Sequence, residues 1–297
     1  MRYPAAVDEP RRRSHAAPIP YLLQQLLLLQ LLLAPGCTTQ APTREPAPSS
    51  PVAAAAAALP PPPATATISR GQAGSLQYLE VVPAGLDPRA PLPMIVFIHG
   101  LGDRPRTAFI DGVDLPARFI LPQAPERSGR GYSWFPYRVG EQHPEFSAGI
   151  VKAAALLVDM LDELRENRQT LGLPIVTGFS QGGILSFAIA VHHPSAVFAV
   201  HPISGMLPPE LWPEAPAAGA PTPPIRAVHG DADTVVPFAS AVQTVETLGT
   251  RGFDVSMQAF AGVPHTQSEP MRRYMMGVLE HWTKRAQTPR AAANEAR

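Results

Sequence analysis

Gly178-Phe179-Ser180-Gln181-Gly182 is the stretch that decides the fold of this 297-residue chain. It reads G-x-S-x-G. An apolar run, residues 173–179, leads in, and a helix-permissive run, residues 184–191, leads out. A strand, a sharp turn and a helix in that order lift a serine hydroxyl clear of a sheet. Glycine belongs on either side because a side chain would crowd so tight a turn.

Working outward, the flanking segments predict the sheet that such a turn requires. Residues 93–98 are continuously apolar, as expected of a strand buried on both faces. Residues 118–121 form another short strand, stopped by Pro122, and residues 76–82 are β-like. Two more buried-strand candidates follow at 197–203 and 225–229, and residues 253–260 suit an edge strand. Between the strands, Ile150, Ala154, Leu157, Leu161 and Leu164 recur at helical spacing within residues 146–168. Gly172 and Pro174 close that helix. Further helices are expected at 182–192, 238–249 and 267–285, with a Pro/Ala-rich loop at 208–224. Strands alternating with helices predict an α/β domain whose mostly parallel central sheet is covered by helices on both faces. The boundaries assigned to it are 68–290.

The N-terminal part reads differently. Arg11-Arg12-Arg13 precede a leucine-rich apolar stretch, residues 21–34, which matches an export signal and is short for a membrane-spanning helix. Cys37 follows it at once and is the chain's one cysteine. Leu33-Ala34-Pro35-Gly36-Cys37 resembles a bacterial lipobox, whose cysteine is lipidated and becomes the mature N-terminus. Residues 1–37 are therefore expected to be an export signal. A cleaved secretory signal with an incidental cysteine is the plainer alternative. Residues 38–67, dominated by Pro, Ala, Ser and Thr, suit an extended tether. The expected setting is the bacterial cell envelope, with membrane contact through the N-terminal anchor only.

A single cysteine rules out an internal disulfide framework and a cysteine-based metal site. With 24 Lys+Arg against 24 Asp+Glu, and no long basic run after residue 13, nothing points to nucleic acid.

Three candidate strands end in polar residues, where α/β sheets place their sites. The segments are His99-Gly100-Leu101-Gly102-Asp103, then Ser180, then His229-Gly230-Asp231-Ala232-Asp233. His265 lies further on, in a loop before the last helix. The order Ser, Asp, His is that of a nucleophile-elbow hydrolase. A serine hydroxyl needs a neutral imidazole to take its proton. His265 is assigned to that role, with His99, His192, His193, His201 and His229 as rivals. The imidazole needs a carboxylate to fix its tautomer. Asp233 is assigned, with Asp231 as competitor, because the chain runs on through Thr234-Val235-Val236-Pro237 into a helix. Asp103 is read as structuring its own loop. Backbone N–H groups of Gln181 and Leu101 are the candidate oxyanion donors.

Seven segments together resemble the phospholipase/carboxylesterase family of α/β-hydrolases, which includes acyl-protein thioesterases. They are His99 to Asp103, Leu121-Pro122-Gln123-Ala124-Pro125, Ser133-Trp134-Phe135, Gly178 to Gly183, Ser204-Gly205-Met206-Leu207-Pro208, His229 to Asp233 with Val236-Pro237, and His265. The resemblance implies the α/β-hydrolase fold and a serine hydrolase with no metal or organic cofactor. It supports Ser180, Asp233 and His265 as a triad. It also implies that Trp134 and Met206 lie near an acyl site, although either could equally be core packing. Arg104-Pro105-Arg106 stands where the family has Thr-Gly. The expected activity is carboxylic ester hydrolysis on a small-molecule or lipid ester. A thioesterase or lysophospholipase is the alternative among hydrolases, and a non-catalytic envelope binding lipoprotein the alternative outside them.

Overall fold

The structure, a computed structural model, describes residues 65–136 and 144–287. The leader, Cys37 and nearly all of the tether lie outside them. Ten strands and four α-helices follow in order: β1 Thr67–Ala73, β2 Leu76–Val82, β3 Met94–Ile98, β4 Arg118–Pro122, β5 Glu126–Ser128, β6 Gly131–Ser133, α1 Pro144–Asn167, β7 Ile175–Phe179, α2 Gln181–His192, β8 Ala199–Ile203, β9 Ile225–Gly230, α3 Phe238–Thr250, β10 Val255–Phe260 and α4 Glu269–Gln287. Eight strands make one sheet in the order β1-β2-β4-β3-β7-β8-β9-β10. From β4 to β10 every pairing is parallel, while β1 and β2 join antiparallel. This is the mostly parallel sheet that the sequence predicts, and β10 is one of its edges.

Three strands escape the sequence reading. β1 begins at Thr67, the last residue assigned to the tether, and pairs along its length with β2. β5 and β6 form a separate two-stranded hairpin. It is stitched to the loop after β3, because Gly102 N–H donates to Tyr132 O at 2.8 Å and Tyr132 N–H to Asp103 O at 2.9 Å.

The sheet separates two cores. In β3, Met94, Val96 and Ile98 face the layer that holds α1, α2 and α3, while Ile95 and Phe97 face α4. That explains why the strand shows no apolar–polar alternation: water meets neither face. Helix α2 is buried along residues 181–191, so it too lacks a polar stripe. A helix this enclosed holds its N-terminus, and whatever stands there, firmly in place.

In the antiparallel part of the sheet, Glu80 of β2 accepts from the buried Arg118 guanidinium and from Arg168 Nη2 at 3.2 Å. Arg118 also donates to Pro88 O at 2.8 Å. These bonds compensate charges that would otherwise be costly inside a protein.

His201 in β8 is fully buried, and among the described residues neither ring nitrogen has a partner in full hydrogen-bond geometry. Burial lowers its pKa to about 4, against a weaker opposing effect of the Arg226 backbone. An unfolded chain takes up this proton near pH 6.5 and the folded one does not. Stability should therefore fall as pH drops from about 6.5 to 4, by on the order of 3 kcal/mol from this group. Denaturant unfolding at pH 7 and pH 4.5 checks it. His201→Phe should show a smaller loss between the two than the wild type, and an equal loss would clear His201 of the effect.

Candidate active site

Ser180 sits between β7 and α2 with φ 58° and ψ −115°, a conformation that L-residues avoid. Strain of this kind costs on the order of 1–3 kcal/mol and persists where surrounding structure enforces it. The enforcement is main chain against main chain. A Cβ on Gly182 would overlap the Ile98 carbonyl of β3, and one on Gly178 would come within 2.6 Å of the Gly182 backbone. Ser180 N–H donates to Ile203 O at 3.0 Å, and Ser180 O accepts the Ile184 N–H at 3.0 Å to open the helix. The elbow is thus clamped between β3 and β8.

The loop after β10 delivers His265. Its Nε2 lies 3.0 Å from Ser180 Oγ and its Nδ1 2.7 Å from Asp233 Oδ2. With a carboxylate at Nδ1, the neutral ring carries its proton there and turns a lone pair on Nε2 toward the serine. The Phe179 ring lies 4.7 Å from the imidazole, centre to centre, and supports it from the strand side. Two bonds tie the His265 loop to the loop after β9: Gly262 N–H donates to Asp231 Oδ1 at 2.7 Å, and Ala232 N–H to Val263 O at 3.2 Å. Asp231, the competitor for the acid role, therefore works as a loop fastener.

Asp233 is buried with its side chain fully covered. Burial alone would raise its pKa. Hydrogen bonds from His229 and His265, the charge of His265 and the Val236 N–H outweigh burial and hold the carboxyl well below the usual range. Oδ1 accepts the N–H groups of Val235 and Val236, each at 3.0 Å. Oδ2 meets His265 and, at 3.2 Å, His229 Nε2.

The remaining candidates fall into place around this line. Leu101 is 43% exposed, and among the described residues neither its N–H nor that of Gln181 has an acceptor. The Gln181 side chain braces the hairpin side of the site, accepting from Trp134 N–H at 3.0 Å and donating to Phe135 O at 2.7 Å. Asp103 folds its own loop, accepting from Arg104 N–H and Arg106 Nη2, each at 2.9 Å. Among the rival bases, His99 Nδ1 meets Gly100 O at 2.7 Å while its Nε2 accepts Ala124 N–H at 3.2 Å. His201 is enclosed in β8, His192 ends α2 with His193 just beyond it, and His229 faces Asp233 instead of Ser180. No cluster of three or more His, Cys, Asp or Glu side chains suited to a metal occurs among the described residues.

A serine, an imidazole and a carboxylate in hydrogen-bond sequence above the carboxyl ends of a parallel sheet can carry out acyl transfer. The family model described as Phospholipase/Carboxylesterase matches residues 78–284 of this chain. The chain belongs to the phospholipase/carboxylesterase family. Its relatives include a probable carboxylesterase of Oryza sativa subsp. japonica, 28% identical over 238 residues, spanning 68% of this chain and 85% of that protein. Acyl-protein thioesterase 1 of Mycosarcoma maydis is 26% identical over 235 residues, spanning 66% of this chain and 94% of that one. The crystal structure of esterase PE8 matches with a TM-score of 0.58 at 24% identity, over 73% of this chain and 99% of that one. At that identity the likeness concerns the fold alone. As a member of the phospholipase/carboxylesterase family with the α/β-hydrolase fold, the chain is an ester hydrolase.

Sequence reasoning missed three contributors within this phospholipase/carboxylesterase domain. The second imidazole on Asp233, the Phe179 ring under His265 and the Gln181 side chain behind the elbow all depend on how loops meet. Trp134 and Met206, placed near an acyl site by resemblance, are both buried in the core layer that holds α2. Trp134 Nε1–H donates to His99 O at 3.0 Å, so it braces the loop that carries Leu101.

Proposed function

We propose that this protein hydrolyses carboxylic esters through an acyl-enzyme on Ser180, with His265 as general base and Asp233 as its orienting acid. The observation that carries the reading is the unbroken line from Ser180 Oγ to His265 at 3.0 Å and on to Asp233 at 2.7 Å. Oγ attacks the ester carbonyl as its proton passes to His265 Nε2. Asp233 stabilises the imidazolium. The Leu101 and Gln181 N–H groups, without acceptors among the described residues, receive the oxyanion. His265 then hands its proton to the departing alcohol. Water repeats the attack on the acyl-enzyme with His265 again as base, and Ser180 is regenerated. Trp134 and Met206, buried behind the elbow, back the acyl site.

The substrate class is a small-molecule or lipid ester. A thioester is the second reading, favoured by the likeness to a thioesterase at nearly the same identity as to a carboxylesterase. Stopped-flow assays with p-nitrophenyl esters from acetate to palmitate, beside matched thioesters, test both. A burst of about one equivalent of leaving group per chain, before slower steady turnover, is the expected sign of the acyl-enzyme. Silence across both series would remove the reading.

Residues 1–37 are proposed to export the chain and anchor it through Cys37 in the cell envelope, with the 38–67 tether running to the start of β1. No helix among the described residues is long and apolar enough to cross a membrane. Mass spectrometry of the mature N-terminus should find a lipidated Cys37. An intact leader with an unmodified cysteine would defeat the anchor.

A further inference from the structure

Asp233 receives more donors than the chemistry assigned to it requires. Three N–H groups hydrogen-bond its carboxylate, Val235 and Val236 N–H at Oδ1 and His265 Nδ1 at Oδ2, and His229 Nε2 lies a further 3.2 Å from Oδ2. His229 occupies the end of β9 and is 1% exposed. Its Nε2 hydrogen-bonds to Val236 O at 2.9 Å and lies 3.2 Å from Asp233 Oδ2. Neither oxygen can donate, so the ring proton must reside on Nε2. Nδ1 is then a bare acceptor, buried and with no partner among the described residues. Leaving such an atom unpaired forfeits its hydration with nothing in return. An aromatic hydrocarbon ring would fill the space without that cost, so packing alone does not explain a histidine here.

We propose that His229 is a positioning residue for hydrolysis, holding and attenuating the Asp233 carboxylate through the close approach of its Nε2–H to Oδ2. The proposal rests on the triad reading given above. Two effects follow from sharing Oδ2 between two imidazoles. The carboxylate is pinned on both oxygens and cannot turn away from His265. Oδ2 also gives part of its charge to His229, so it holds the His265 imidazolium less tightly and lets the proton move on to the leaving group. The titratable groups that meet Asp233 are His265, from the loop after β10, and His229 itself. From α3 the neighbour of His229 is the Phe238 ring, 5.9 Å away. Asp231 is engaged with Gly262. The low pKa of Asp233 agrees with the geometry, since the His229 bond is the largest of the contributions that lower it.

The test compares full-length wild type, His229→Phe, His229→Gln, His229→Asn and Ser180→Ala on one p-nitrophenyl ester, with thermal melts to confirm folding. Phe keeps the ring shape and removes the donor. Gln can place an N–H near the Nε2 position, and Asn is too short to do so. The expected result for His229→Phe is a fall in kcat of about tenfold with KM nearly unchanged. The acid limb of kcat/KM should also move to higher pH by on the order of 0.5 unit. His229→Gln should recover most of both, and His229→Asn should match Phe and substitute for it if Phe does not fold. A purely structural histidine that only ties the Val236 carbonyl would change the melt and leave the pH limb where it was. If the donor-free variants keep the wild-type kcat and limb while Ser180→Ala is inactive, the inference fails and the hydrolase reading stands. If Ser180→Ala is as active as wild type, the triad reading fails and takes this inference with it.

Discussion

Ser180→Ala should leave a folded protein whose ester turnover drops by up to about 10⁶-fold. Among the described residues the side-chain oxygen makes one hydrogen bond, to His265 Nε2, so its removal leaves the elbow intact. Alanine has to adopt the same φ of 58°, and the strands on both sides still enforce it. Stability should accordingly shift by less than about 1 kcal/mol. Residual rate, if any, comes from oxyanion donors that do not need the serine. Steady-state rates and burst amplitudes on matched esters check the prediction. Equal activity in the two proteins would remove Ser180 from the chemistry altogether.

Asp233→Asn should lower kcat by on the order of 10⁴-fold while the chain remains folded at neutral pH. The amide is nearly the same shape, and its oxygen can still accept from Val235 and Val236, so it will settle there. Its NH₂ then faces His265 and His229, where the carboxylate had offered Oδ2. Donor meets donor. His265 can relieve the clash by presenting a bare Nδ1, which places the proton on Nε2 and makes the ring unable to accept one from Ser180. The pH dependence of Asp233 itself adds a sign. A carboxyl with a lowered folded pKa contributes stability above the unfolded value, near 3.9, and loses it only as pH falls through the folded value. Asp233 is therefore ionised wherever the enzyme is assayed, and the defect in Asn reflects geometry and charge, not titration. A variant with wild-type kcat would displace Asp233 from the acid role.

What was legible in the sequence follows from what each segment has to bury. Residues 94–98 and 175–179 lie between two covered faces, so their apolar runs announce strands without ambiguity. Helix α1 has one wet face, and its period shows. β1 carries Thr67-Ile68-Ser69-Arg70-Gly71-Gln72, nearly all exposed. It joins the sheet through backbone pairing with β2, which leaves no mark in side-chain pattern. β5 and β6 are three residues each, too short for any period. The same distinction applies to the site. Ser180, Asp233 and His265 are readable because strand ends and loop order confine them. His229 lies four residues before Asp233 outside any helix, and only the fold of the intervening turn brings its ring back onto the carboxylate.

The clamp on the elbow has a consequence for tolerance. Ser180 is located by peptide backbone resting on peptide backbone, at Gly182 against Ile98 and at its own N–H against Ile203. Backbone has no rotamers to change, so the hydroxyl is a fixed jaw whose place is as rigid as the sheet. His265 is the moving jaw, carried on a loop and steadied by fastenings from Asp231 and Ala232 and by the Phe179 ring. Whatever play exists in the grip belongs to that one side. The working distance between the jaws is therefore governed by the few bonds that limit the histidine loop's travel, and the rest of the sheet can vary its side chains without disturbing the alignment.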